Sequence, residues 1–189
     1  MKWGMFELTI NLYQVVIVVQ TITNCLEKKW GGIKFKFAEM IIIVLLFLEL
    51  SFVNQLVPFE GIAIIIPIMM IFLYMLISFK GIWIKKLYLA SILMLGIVGI
   101  TAIVFNIVGL FFNYSYIALI EIKDSIRFIS LIIVQVIIFY MSQFIIKYYD
   151  VEEGKVVWDT WLMIIIMPFI SIITLGLLLT LSINLKKDY

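Results

Sequence analysis

The chain has no histidine, a single cysteine and few charged residues. Without histidine among its 189 residues, it has no imidazole for catalysis, haem ligation or a phosphorelay. Cys25 alone cannot form an internal disulfide, and no zinc or redox spacing of cysteines occurs. Charged residues make up 14% of the sequence and the net charge is only +2, so nucleic acid is not an expected partner. We therefore expect no enzyme activity, no cofactor and no metal.

Apolar residues dominate the chain and occur in long blocks. They make up 65% of the sequence, against roughly 45–50% in soluble domains, and the mean hydropathy is +1.21. A single soluble core does not absorb blocks of this length, whereas a lipid bilayer does. The composition therefore predicts an all-α polytopic protein of the cell membrane. No cleavable signal peptide is expected, because the first apolar run begins at Met5 and is long enough to span.

The apolar blocks predict a bundle of six transmembrane helices within one domain, residues 1–189. Each predicted span is close to the ~20 residues that cross about 30 Å of hydrocarbon. The second and third are separated only by the sequence "PFE", which predicts a tight helical hairpin. The predicted spans are 5–25, 38–57, 61–79, 87–112, 127–147 and 161–184.

The tryptophans support this division into spans independently. Indole side chains prefer the headgroup region of a bilayer, and no tryptophan falls in the middle of a predicted span. All of them lie at or just outside predicted span ends, namely Trp3, Trp30, Trp83, Trp158 and Trp161.

Basic residues collect in alternate loops and predict the orientation of the chain. The stretch "CLEKKWGGIKFKF", Cys25 to Phe37, contains four lysines, the next connection none, and residues 80–86 three. Across the chain, nine of the 14 basic residues fall on one side and five on the other. Basic residues in short loops are retained in the cytoplasm, so 26–37, 80–86 and 148–160 are predicted to be inside. Both termini are then predicted to be extracellular.

Polar side chains within the predicted spans are the candidate sites for a ligand or for intramembrane bonding. Glu49 lies near the middle of the second span, where an ionisable group costs at least ~2.5–3.5 kcal/mol. A protonated Glu49 bonded to Gln14 or Gln135 is the structural alternative to a ligand role, and both interpretations stay open. For the amides and Thr101 we favour hydrogen bonds between helices. The candidates are Glu49, Gln14, Gln135, Thr101 and Asn106, with Tyr114 and Tyr116 in the external segment 113–126.

Three features together resemble one family of membrane sensors. A very short N-terminus enters the first span at once, and the basic first loop follows it. The sixth predicted span, "WLMIIIMPFISIITLGLLLT", begins at Trp161 and carries a Pro-x-x-Ser at Pro168 and Ser171. This pattern resembles the membrane region of accessory-gene-regulator-type sensors, the peptide-pheromone receptor histidine kinases of Gram-positive bacteria, which carry a GHKL-type ATPase domain.

The resemblance implies a receptor of a two-component quorum-sensing system. Its implied partners are the lipid bilayer, an extracellular peptide and a second copy of the chain in a homodimer. In that family a further span follows the sixth and delivers the kinase to the cytoplasm, whereas the lysines place the end of this chain outside. We therefore expect a truncated sensor, a fragment or a stand-alone relative. The sequence lacks a histidine box, an asparagine box and a glycine-rich ATP lid, so only the receptor role carries over.

The alternative is a substrate-binding membrane component of a small-molecule transporter. Such subunits of energy-coupling-factor transporters have about this length and six spans, and they dock their partner through an alanine-x-x-x-alanine helix face. The first span here contains no alanine, and their termini are expected inside, against the lysine count. The membrane peptidase that matures the pheromone is excluded, because it needs a cysteine activated by a histidine.

Overall fold

The structure is a computed structural model. In the part of the chain that it describes, the long elements are α-helices. The structure describes residues 3–56, 60–112, 119 and 125–149. The all-α fold class is confirmed for these residues. The helices are α1 (Trp3–Cys25), α2 (Ile33–Leu56), α3 (Glu60–Ser78), α4 (Trp83–Phe112) and α5 (Ser125–Tyr149).

Three of these helices are long and apolar enough to cross a membrane. The segments are Gly4–Cys25, Trp83–Phe112 and Ser125–Lys147, and α3 adds a shorter apolar stretch, Ile64–Ser78. Many large apolar side chains are exposed on the helices, which suits lipid as the surrounding solvent. The predicted membrane class is therefore supported, whereas the division into six spans stays a prediction. The sixth predicted span, 161–184, lies outside the described residues.

Two helices begin four or more residues before the corresponding predicted spans. α2 starts at Ile33 rather than at residue 38, and α4 starts at Trp83 rather than at residue 87. Hydropathy marks where the hydrocarbon region begins, but a helix satisfies its own backbone hydrogen bonds and continues beyond that boundary. Four lysines therefore lie in helical turns rather than in loops, namely Lys34, Lys36, Lys85 and Lys86.

The tryptophans of the described residues lie at helix ends, as predicted. Trp3 and Trp83 are the first residues of α1 and α4, and Trp30 lies between α1 and α2. Trp158 and Trp161 lie outside the described residues.

The described residues divide between two compact units. The first unit contains α1, α2, α3, α4 as far as Met94 and α5 from Gln135 onwards. The second unit contains α4 from Leu95 onwards and α5 as far as Val134, with Ile97, Phe105 and Val134 buried. The prediction of one transmembrane domain stays a prediction.

The core of the first unit follows from helical periodicity. In α1, Val15, Val19 and Ile22 are buried, and their i, i+4, i+7 spacing places them on one face. Ile71 and Met75 on α3 are also fully buried, and α2 packs against both α1 and α3. The polar residues considered below are therefore positioned by helices with closely packed apolar faces.

Gly32 supplies the backbone turn that starts α2. Its φ of +73° lies in the left-handed region, which costs other residues about 1–2 kcal/mol. We expect Gly32→Ala to lower the free energy of unfolding by about that amount, although nothing obstructs the added methyl group. Denaturant unfolding in detergent micelles measures the change.

Gly31→Ala is the matched control for this substitution. Gly31 also has open space around it but no positive φ, so its replacement should leave stability nearly unchanged. Equal losses in the two variants would contradict the role assigned to Gly32.

Candidate functional site

The two lysine-rich connections of the first unit are joined to each other. Lys28 and Phe79 form an isolated antiparallel β-bridge between the α1–α2 and α3–α4 connections. Residues 27–29 and 78–80 are here named the loop clamp. Its two backbone hydrogen bonds, both 2.9 Å, run from the N–H of Lys29 to the carbonyl oxygen of Ser78 and from the N–H of Lys80 to that of Glu27.

Two lysine side chains satisfy carbonyl groups where α3 ends. The Nζ of Lys29 donates a hydrogen bond of 2.6 Å to the carbonyl oxygen of Leu76. The Nζ of Lys86 donates one of 2.7 Å to that of Phe79, and Lys86 is only 2% exposed. The last carbonyls of a helix lack intrahelical partners and carry partial negative charge, so amines stabilise them. Lys29 therefore has a structural role within the clamp, and Lys86 supports the clamp from α4.

Aromatic side chains fill the apolar side of the loop clamp. The ring of Phe79 is fully buried and makes edge-to-face contacts with Phe35 and Tyr74, each with ring centroids 5.5 Å apart. The Nζ of Lys28 lies 4.4 Å from the centroid of Phe35. Edge-to-face pairs contribute ≈ 0.5–1.5 kcal/mol beyond their buried area, so Phe79 anchors this end of the unit.

The sequence interpretation treated these lysines as markers of orientation and missed their contacts. It placed 26–37 and 80–86 on the same side of the membrane, and the bridge shows that the two connections meet. Glycines at residues 31, 32 and 81, next to the lysines, were a signal of tight connections. They did not indicate which carbonyl groups the amines would reach.

Glu49 lies half-buried on α2 and, within the residues that the structure describes, makes no hydrogen bond to Gln14 or Gln135. Its Oε2 atom is buried and has no hydrogen-bond partner. The Oε1 of Gln135 is likewise buried without a partner. These groups therefore form no connected polar network between the helices.

Gln14 lines a small pocket of the first unit. Leu46 and Leu50, which flank Glu49 along α2, also line it, together with Pro67 on α3 and Met94 on α4. Its volume of about 10 Å³ is close to the minimum for one water molecule. Organic ligands need roughly 300–1,000 Å³, so this pocket does not hold one.

Two further candidate residues, Thr101 and Asn106, lie on α4 in the second unit. The Oγ1 of Thr101 donates to the carbonyl oxygen of Ile97 at 2.8 Å, and the Nδ2 of Asn106 donates to that of Ala102 at 2.8 Å. Both bonds stay within α4, so these groups are satisfied locally rather than between helices. Tyr114 and Tyr116 lie outside the described residues.

We expect Glu49→Gln to leave insertion and folding nearly unchanged, because the amide has the same shape and no ionised form. Glu49→Leu should raise the free energy of unfolding by about 1 kcal/mol, since it removes a buried oxygen atom that has no partner. The sequence alone had suggested a loss of ~1 kcal/mol, the scale of one intramembrane hydrogen bond. Unfolding of both variants in micelles distinguishes the two outcomes.

A lipid-phase thiol probe tests where position 49 faces. In a Glu49→Cys variant with Cys25→Ser, labelling should be weaker than at Leu48→Cys, because Leu48 is exposed beside it on α2. Equal labelling at the two positions would show that residue 49 faces lipid.

Comparisons with known proteins found no match to this chain. No protein-family model matches the chain, and neither a curated protein nor a solved structure does. In the described part of the chain, no group of three Cys, Asp or Glu side chains is placed to hold a metal ion.

Proposed function

We propose that the chain is a multi-pass membrane sensor module that receives an extracellular signal, with a peptide as the class of signal. In this proposal six spans cross the membrane, both termini are extracellular, and the loop clamp lies at the cytoplasmic face. The resemblance to accessory-gene-regulator-type sensors supports the class of signal.

The loop clamp is the observation that carries the proposal. It connects the turn between α1 and α2 to the turn between α3 and α4 through backbone hydrogen bonds. The buried amine of Lys86 and the ring of Phe79 reinforce this connection. A displacement of α1 and α2 is therefore transmitted to α3 and α4, and the reverse. A sensor needs this transmission at the end opposite to the one where its ligand binds.

The size of the pocket favours a sensor over the transporter component. A substrate carrier needs a cavity that encloses a solute near the middle of the membrane. The pocket beside Gln14 accommodates about one water molecule and is lined mostly by apolar side chains. Within the described part of the first unit, Glu49 also makes no hydrogen bond to Gln14 or Gln135, whereas a substrate site collects several polar groups.

A fluorescent reporter on the first turn of α2 tests the proposal. The chain carries Cys25→Ser and Lys34→Cys, is labelled with an environment-sensitive dye and is reconstituted in lipid nanodiscs. The probe is the low-molecular-mass fraction of spent medium from the organism that carries the chain. We expect a change in dye emission that disappears after the fraction is treated with peptidase.

Two variants serve as controls for the reporter. The dye at Ile103→Cys, an exposed position in the interior of α4 and in the second unit, should not respond. Tyr114→Ala with Tyr116→Ala should abolish the response at position 34. No response, or one that survives peptidase, would overturn a peptide sensor. Solute accumulation in vesicles that contain the chain would support the transporter instead.

A further inference from the structure

Three lysines near the loop clamp take no part in it. Residues 27–39 and 80–86 contain seven lysines, and four of them bond to or lie against groups of the clamp region, namely Lys28, Lys29, Lys80 and Lys86. Within the described residues, the amines of Lys34, Lys36 and Lys85 form neither a hydrogen bond nor an ion pair with the protein. These three cations are available to an external anion.

Lys36, one of these three lysines, lies beside a stripe of exposed apolar side chains on α2. Ile33, Phe37 and Met40 are 87%, 65% and 64% exposed, and their i, i+4, i+7 spacing forms one face. The exposed residues Val44 and Leu48 continue this face towards the middle of the helix. A lysine beside such a stripe lays its alkyl chain along the apolar surface and places its amine at the headgroup level.

The first turn of α4 repeats this arrangement. Trp83 is 57% exposed and Ile84 is 45% exposed, and the half-buried Lys85 follows them directly. Exposed indole beside a basic residue is typical of the membrane–water interface. Lys34, Lys36 and Lys85 therefore belong to helix starts whose neighbouring surface exposes large apolar side chains.

The charge near the clamp is not balanced by the protein itself. Against seven lysines, residues 27–39 and 80–86 contain only two acids, Glu27 and Glu39. Glu27 pairs with Lys80 at 3.4 Å, an exposed contact. The excess of positive charge at a lipid-facing end needs anions, and the phosphate of an anionic lipid is the anion that such a surface meets.

We propose that Lys34, Lys36 and Lys85 form a binding surface for the phosphate groups of anionic membrane lipids. The loop clamp holds the two helix starts together, so the amines from α2 and α4 act on one patch of the membrane. Each basic residue near an anionic surface raises lipid affinity about fivefold, and added salt screens this attraction. The patch does not depend on the proposed function, because it needs no signal molecule.

Lipid retention by the purified full chain tests the binding surface. The chain is reconstituted in nanodiscs with equal amounts of phosphatidylglycerol and phosphatidylcholine, extracted mildly, and the bound lipids are counted by native mass spectrometry. We expect a preference for phosphatidylglycerol that falls at least about tenfold when all three lysines are replaced by glutamine. The triple arginine variant should keep the preference, because the charges remain.

Charge-matched and phosphate controls decide the outcome. Replacing Lys123, Lys186 and Lys187 by glutamine removes the same charge elsewhere in the sequence and should leave the preference unchanged. An equal loss in this control, or an unchanged preference in the K34Q/K36Q/K85Q chain, would overturn the proposal. Displacement of phosphatidylglycerol by inorganic phosphate at millimolar concentration would identify a site for soluble phosphate and overturn it too. Circular dichroism checks that each variant is folded.

Discussion

Phe79→Ala is expected to lower the free energy of unfolding by about 3–5 kcal/mol, as for other buried phenylalanines. The ring is fully buried and touches both Phe35 and Tyr74, so its removal leaves a cavity that the fixed clamp backbone cannot close. The loss should also release the turn between α3 and α4. Denaturant unfolding in detergent micelles measures the stability change, and proteolysis after residues 28 and 29 measures the release.

Phe111→Ala is the matched control, because this phenylalanine lies on α4 with 82% of its surface exposed. Its replacement should change the free energy of unfolding by no more than about 0.5 kcal/mol. If both substitutions cost the same, Phe79 is not the anchor of the clamp.

Thiol labelling in intact cells should give opposite results on the two sides of the membrane. With Cys25 replaced by serine, a cysteine at Lys34 should be protected from a membrane-impermeant reagent until the cells are permeabilised. A cysteine at Tyr116 should react at once. The reason is that the basic residues of 26–37 and 80–86 predict a cytoplasmic position for both stretches. The bridge between Lys28 and Phe79 also brings the two connections together.

The cysteine at each position must be shown to react with the reagent once the membrane no longer blocks access to it. Lys34 is exposed, so labelling after permeabilisation serves as its positive control. Immediate labelling at position 34 together with protection at position 116 would invert the predicted orientation. Labelling of both positions in intact cells would contradict the span assignment between them.

Much of the helix pattern was predictable from composition and spacing. Apolar blocks are long in this chain, so the ends of α1, α3 and α5 lie within two residues of the predicted spans. The starts of α2 and α4 were less predictable. Hydropathy records contact with hydrocarbon, while Lys34 and Lys85 are helical because the backbone continues its hydrogen-bond pattern into the interface.

The surroundings of the candidate residues were not predictable from the sequence. A pattern shows that Glu49 and Gln14 lie at similar depth, but not whether rotation of the helices brings their side chains together. Thr101 and Asn106 bond within α4, an outcome that spacing alone does not separate from bonding between helices. Contacts such as that of Lys29 with the carbonyl oxygen of Leu76 depend on the path of the chain over 47 residues, which the sequence does not encode locally.

The loop clamp sets an order of events during synthesis. The amine of Lys29 reaches a carbonyl oxygen 47 residues later in the chain. At a synthesis rate of about 5–20 residues per second, that partner emerges about 2–9 s after the lysine does. During this interval the amine of Lys29 has not yet met its carbonyl partner. In the orientation that we propose, this amine first helps to retain its loop in the cytoplasm and is bound into its final contact only afterwards.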